Sequence, residues 1–247
     1  MSTRRIILGG GSGFLGQRIA TFLQPLGWEP VILSRSSDSK ARFREMQWDA
    51  KTVGPWVDTL DGAEAVINLT GRSVNCRYTA KNRRAIMDSR VDSTRVVGEA
   101  IARCSQPPRT WLNASTATLY QHTFGPAHDE TSTAFGATID AKDAFSVSVG
   151  RAWEKALTDA LVPQTRKVAL RATIVFGTVR GGVFQVMRRL AKLGLGGRMG
   201  SGHQYVSWIH EEDFCRAVEW VLTHEELSGP VNIAAPNPLA NAEMMAS

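Results

Sequence analysis

Short apolar runs alternate along this chain with longer stretches in which apolar residues recur every three or four positions. The runs predict strands at residues 6–9, 31–34, 65–70, 110–115, 167–175, 205–209 and 231–234. The amphipathic stretches predict helices at 13–25, 79–103, 142–160, 183–193 and 211–223. Such alternation is the pattern of a parallel sheet covered by helices on both faces. The expected fold class is therefore α/β, a doubly wound parallel sheet, and 247 residues suffice for one structural domain of this kind. Residues 121–140, rich in Thr, Ala and Gly, form the longest expected loop, and long loops are often functional.

The first strand, turn and helix carry the clearest chemistry. In "ILGGGSGFLGQRIATFL" the glycines Gly10, Gly13 and Gly16 are spaced GxxGxxG between a strand and a helix. The first permits a tight turn, the second lets a pyrophosphate approach the backbone, and the third lets helix and strand pack closely. With Phe14 and Leu15 they are the expected dinucleotide contacts, the phosphate resting on backbone N–H groups at the helix start. A P-loop is excluded, because Gln17 and Arg18 follow Gly16 where Lys and Ser/Thr would be needed. The second strand, "EPVILSR", completes a βαβ unit of Rossmann type. It ends on Ser34 and Arg35 instead of the acid that binds both ribose hydroxyls of NAD. A hydroxyl and a permanent cation suit a 2′-phosphate, so the expected cofactor is NADP(H). Asp38 comes late and reads as a loop residue. On this reading residues 1–165 hold the NADP(H)-binding core. Residues 166–247 hold the last core strands and substrate-facing segments.

Composition narrows the picture only slightly. The net charge of +6 would permit nucleic-acid binding, but the cations are scattered apart from short clusters such as Lys81–Arg84. A solvated surface with some attraction for an anionic cofactor explains the charge as well, so no nucleic-acid partner is expected. Three distant cysteines without a CxxC, and no HExxH, leave neither a disulfide framework nor a metal site. No apolar run reaches membrane-span length, and "MSTRRIILGGG" lacks a secretory apolar region, so a cytoplasmic location with no membrane partner is expected.

The motifs "GGGSGFLG", "VILSR", "AVINLTG", "SRVDST", "NASTATLYQ" and "RAWEKAL" resemble the extended short-chain dehydrogenase/reductase superfamily. The run "LGLGGRMGSGHQYVSWIHEEDF" followed by "GPVNIAAPNP" resembles more closely its atypical epimerase-like branch, the nucleoside-diphosphate-sugar epimerase proteins. The resemblance spans nearly the whole chain. It implies that Leu69, Thr70 and Gly71 pass the adenine and ribose, that Arg90 faces the cofactor, and that Ser115 hydrogen-bonds a substrate oxygen. A surface salt bridge for Arg90 and a turn cap for Ser115 are the plainer alternatives. It also implies a run of largely helical residues after "NIAAPNPLANAEMMAS", so the substrate lobe is expected to be small and incomplete. Met187, Leu190 or Leu195 would then be exposed, or covered in a homodimer.

One departure matters. The wider superfamily transfers a proton with a helix Tyr and a Lys four residues later. Glu154 sets the register and puts Ser146 at the Tyr position and Gly150 at the Lys position. A Ser hydroxyl is far too weak an acid and Gly offers no cation. Arg151 and Lys155 cannot substitute, being about 100° and 140° around the helix. Of the three tyrosines, Tyr78, Tyr120 and Tyr205, Tyr120 follows Ser115 closely and is the expected phenolic acid/base, packing being its alternative role. His122 titrates in a useful range but stands in a loop. The glycine-rich run around residue 200 is expected to wall the substrate cleft, with Arg198, Gln204 and His210 recognising an anionic or hydroxylated group. His210 and Asp213 could equally cap a helix. The expected function is an NADP(H)-binding epimerase-like oxidoreductase or isomerase for a small polar substrate, a nucleotide sugar being one candidate class. The alternative is a non-catalytic NADP(H) binder or sensor.

Overall fold

The computed structural model describes residues 4–36, 41–139, 141–177 and 183–246, so Asp38 lies outside the described residues. The sheet strands in chain order are β1 (Arg4–Gly9), β2 (Trp28–Ser34), β3 (Arg44–Gln47), β4 (Ala65–Asn68), β5 (Thr110–Thr116) and β6 (Arg166–Ala172). The chain continues through β7 (Ile174–Phe176), β8 (Tyr205–Val206), β9 (Trp208–His210), β10 (Gly229–Ile233) and β11 (Leu239–Ala240). Helices α1 (Phe14–Leu23), α2 (Ala80–Ile101), α3 (Ala144–Asp159), α4 (Val183–Lys192), α5 (Glu211–Thr223) and α6 (Asn241–Ala246) lie between and after them. Seven strands form one parallel sheet in the order β10-β6-β5-β4-β1-β2-β3.

Each central strand is apolar on both sides, and its residues divide by parity. Ile6, Leu8, Ile32, Ile67, Leu112 and Leu170 pack under α1 and α5 with Ile19, Leu23, Phe214 and Val218. Their neighbours Ile7, Val31, Leu33, Val66, Trp111 and Ala169 pack on the other face with Val96, Val97 and Ala100 of α2 and Leu157 of α3. Each fully buried Ile or Leu contributes about 1.5–3 kcal/mol, so both layers are needed to hold the sheet. Strand order reverses at β1, where Gly9 is paired with Leu33 on one side and with Asn68 on the other. Ligands of open parallel sheets bind outside the strand ends at such a reversal.

The structure departs from the expected elements in places that share a cause. The run 167–175 is broken: β6 ends at Ala172, and β7 pairs instead with β9 in a separate two-stranded sheet. The run 205–209 likewise divides into β8, paired with β11, and β9. Hydrophobic continuity does not show where a strand changes partner. The short edge strand β3, with charged and polar residues, was not expected. Among the described residues no helix is long and apolar enough to cross a membrane.

Candidate cofactor and substrate cleft

The glycine turn is shaped as its spacing requires. Gly10 has φ +70°, and a Cβ there would lie 3.1 Å from the backbone of Thr70. A Cβ on Gly16 would overlap the backbone of Gly11, so only glycine lets α1 leave β1 this closely. Gly13 is the N-cap of α1 and contributes no side-chain cap, and the first turn carries no acid. Its N–H groups are left for an anion.

Two cavities meet at this turn and share Gly10, Gly13 and Leu69. The first, about 850 Å³, runs over the ends of β2 and β4 and is walled by Ser34, Arg35, Thr70 and Gly71. Lys51, Arg72, Lys81 and Arg84 also line it, so five cations with Arg35 face two acids, Asp49 and Asp88. The oxygens of Asp49 already accept hydrogen bonds from the backbone of Lys51 and from Thr52. Those bonds, led by the Thr52 backbone, hold its carboxyl below the usual range. The buried Thr70 Oγ1 has no hydrogen-bond partner. Sequence reading named Arg35 but missed the other four cations. The Lys81–Arg84 cluster was their one visible signal, and only folding brings it opposite β2.

The second cavity, about 520 Å³, passes from the glycine turn along β5 and the start of α3. Phe14, Leu15, Gly16, Arg90, Ser115 and Ser146 all line it. Arg90 Nη1 donates to the carbonyls of Arg72 and Ile86, both at 3.1 Å, and the guanidinium lies 5.1 Å from the Trp153 ring centroid. No carboxylate pairs with it among the described residues, and burial pushes its pKa down.

Behind Ser115 lies a network that sequence reading did not find. Ser115 Oγ donates to Glu154 Oε1 at 2.5 Å. Arg171, from β6, donates to both oxygens of the same carboxylate, Nε at 2.9 Å and Nη2 at 2.8 Å. Its Nη1 donates to Tyr120 Oη at 2.8 Å, and Tyr120 Oη donates to Asn232 Oδ1 at 2.9 Å. The side chains of Arg171 and Glu154 are 7% and 20% exposed, so the pair is largely desolvated. The Glu154 carboxylate holds the Arg171 guanidinium well above its usual pKa, burial opposing it. With its hydrogen committed to Glu154, Ser115 presents lone pairs to the cavity and is poised to accept a hydrogen bond. The available signal was an arginine inside the buried run "VALRATIVF".

This network occupies the hydroxyl of Tyr120, the expected acid/base. Its hydroxyl both accepts and donates within the protein, its ring stacks on His128 and Phe135, and it does not line the cavity. The loop 121–139 thus packs over Tyr120, and Glu130 further accepts from the Asn232 backbone at 2.6 Å. His122 packs edge-on to Phe124, also outside the cavity lining. At Gly150 a Cβ would lie 2.9 Å from Leu119 and 3.1 Å from Thr116, so the lysine position is filled by neighbours. Arg198, Gln204 and His210 line neither cavity. Gln204 donates to the Met199 carbonyl, and Arg198 packs beside Gly202. His210, in place of Asp213, is the N-cap of α5, accepting from the Glu212 backbone; Asp213 pairs with Arg216.

Comparison with known proteins agrees with this architecture. Residues 6–234 match the NAD dependent epimerase/dehydratase family. Epimerase family protein YfhF of Bacillus subtilis is 31% identical over 236 residues, covering 95% of this chain and 75% of that protein. Bovine epimerase family protein SDR39U1 is 31% identical over 245 residues, covering 97% and 77%. The crystal structure of human SDR39U1 (isoform 2) with NADPH superposes with a TM-score of 0.82 at 30% identity, over 97% of this chain and 77% of that one. The UDP-N-acetylglucosamine 4-epimerase of Bacillus cereus, 19% identical with a TM-score of 0.76 over 98% of this chain and 83% of its own, shares the fold. By the family match and by these relatives, the chain belongs to the NAD dependent epimerase/dehydratase family.

Proposed function

We propose that this protein is an NADP(H)-dependent, epimerase-like oxidoreductase or isomerase acting on a small polar substrate. The observation that carries the cofactor is the cation-lined cavity joined to the uncapped start of α1. The residues fit the group. Arg35 with Ser34 would hold a 2′-phosphate, the first turn of α1 would hold the pyrophosphate, and the unpartnered Thr70 Oγ1 stands beside the turn. Bound NADP(H) supplies or accepts a hydride at the nicotinamide ring. The human relative SDR39U1, solved with NADPH, supports the same choice. The substrate would share the 520 Å³ cavity with the nicotinamide end of the cofactor, where Thr116, Thr118, Ser146 and Thr173 offer hydroxyls and Ser115, its own hydrogen donated to Glu154, can accept a hydrogen bond. Those groups suit a hydroxylated ligand such as a sugar moiety.

A second reading, a non-catalytic NADP(H) sensor, draws support from the closed lysine position at Gly150. Titration of NADPH and NADH against wild type and Arg35→Ala tests the cofactor assignment. NADPH is expected to bind more tightly to wild type, and Arg35→Ala to lose at least about tenfold in NADPH affinity, from a charge-assisted contact of about 1.5–3 kcal/mol. Equal wild-type affinities would count against a 2′-phosphate site. Turnover of any hydroxylated or carbonyl substrate excludes the sensor.

A further inference from the structure

The phenol in the wall of the substrate cavity is Tyr78. It stands in the segment between Gly71 and α2, and it lines the same cavity as Ser115 and Ser146. Among the described residues lining that cavity, Tyr78 and Arg90 are the only ones whose side chains ionise in water. Packing fixes the ring. It meets Phe145 edge-to-face at 5.4 Å and 70°, and the Arg83 guanidinium lies 4.8 Å from the Phe145 centroid and 5.7 Å from that of Tyr78. Arg83 Nε also donates to the Tyr78 carbonyl at 3.0 Å. Tyr78 is 41% exposed, so water reaches it. Arg90 lines the same cavity, where burial lowers its pKa and Tyr78 opposes that shift.

We infer that Tyr78, the one phenol among the described residues lining the cavity, is the proton donor and acceptor for the substrate oxygen. The inference rests on the NADP(H) reading above. In the reducing direction the carbonyl carbon gains hydride from the dihydronicotinamide, which is oxidised, and the C=O π bond breaks. The carbonyl oxygen takes the Tyr78 hydroxyl proton, giving an alcohol. Water then returns a proton to the phenolate. Tyr78 comes from the α2 side of the cleft, whereas the expected pair would have come from α3.

Three measurements test this on the intact protein. Tyr78→Phe should bind NADPH with unchanged affinity by fluorescence titration. With phenanthrenequinone as the carbonyl probe, it should lose about 100-fold in kcat with little change in KM, the scale of general acid catalysis. Tyr205→Phe, which alters an exposed ring outside the cavity lining, should match wild type. Nitration by tetranitromethane, mapped by mass spectrometry, gives a readout independent of turnover. At NADPH about ten times its Kd, nitration of Tyr78 should slow about tenfold, in proportion to the free protein, while that of Tyr205 is unchanged. NADPH that binds but leaves Tyr78 nitration unaltered, or a Tyr78→Phe variant as fast as wild type, overturns the inference and spares the cofactor reading. Failure of wild type to bind NADPH overturns both. If wild type binds NADPH but does not reduce the quinone, the nitration result decides alone.

Discussion

Glu154 shows how much can rest on one side chain. It accepts from Ser115 and twice from Arg171 in a largely buried setting, so removing its charge leaves a desolvated guanidinium uncompensated. Glu154→Gln is expected to cost about 3–5 kcal/mol in urea unfolding, the usual range for breaking a buried pair. A loss below 1 kcal/mol would mean that water screens the pair. The cysteines give a second residue-scale expectation. Burial pushes the Cys104 and Cys215 thiols from 9.0 up to about 11, with nearby acids reinforcing it and Arg18 opposing it at Cys215. A raised folded-state pKa stabilises fully below the unfolded value and is lost as pH rises through the folded one. Stability should therefore fall between pH 9.0 and about 11, and Cys215→Ala should flatten that fall in a pH series of urea melts.

At the scale of elements, α3 packs closely on the tight turn after β5. The Gly150 position is in van der Waals contact with Leu119 and Thr116, leaving no room for a Cβ without movement. Gly150→Ala is expected to destabilise by about 1–3 kcal/mol, the cost of overpacking, despite alanine's better helix propensity. Ser146→Tyr with Gly150→Lys should consequently yield a less stable protein. A double variant as stable as wild type would show that Leu119 yields easily. The count from Glu154 back to Gly150 lies within α3 and uses helical periodicity, which is local. That Leu119 fills the vacated space depends on a contact 31 residues away in sequence, which no periodicity reports.

The whole molecule presents an uneven surface. Along and after α4, Val186, Leu193, Leu195 and Met199 are 50%, 64%, 70% and 57% exposed, and Leu190 is exposed as expected, whereas Met187 is half-buried. Apolar surface gathered in this way favours association. Light scattering is expected to report a mass above that of the monomer at high concentration, and Leu193→Lys with Leu195→Lys to restore the monomer and weaken binding of an apolar dye. A wild type that stays monomeric and binds no dye would show that this face is already covered.

The sequence by itself determined the parallel sheet, the glycine turn and the Ser34–Arg35 end of β2, because each follows from residues adjacent in the chain. Apolar runs make strands, glycine spacing makes the turn, and a strand end carries its next residues into the crevice. Tertiary structure alone decided the rest. It gathered Lys51, Arg72, Lys81 and Arg84 around Arg35, tied Tyr120 to Arg171, and set Tyr78 beside Phe145 in the wall of the cavity that Ser115 also lines. It also drew Arg198, Gln204 and His210 into local contacts away from both cavities. These outcomes depend on distance in space between segments far apart in sequence. Burial then fixes which hydroxyls are consumed by internal partners and which remain free to meet a ligand.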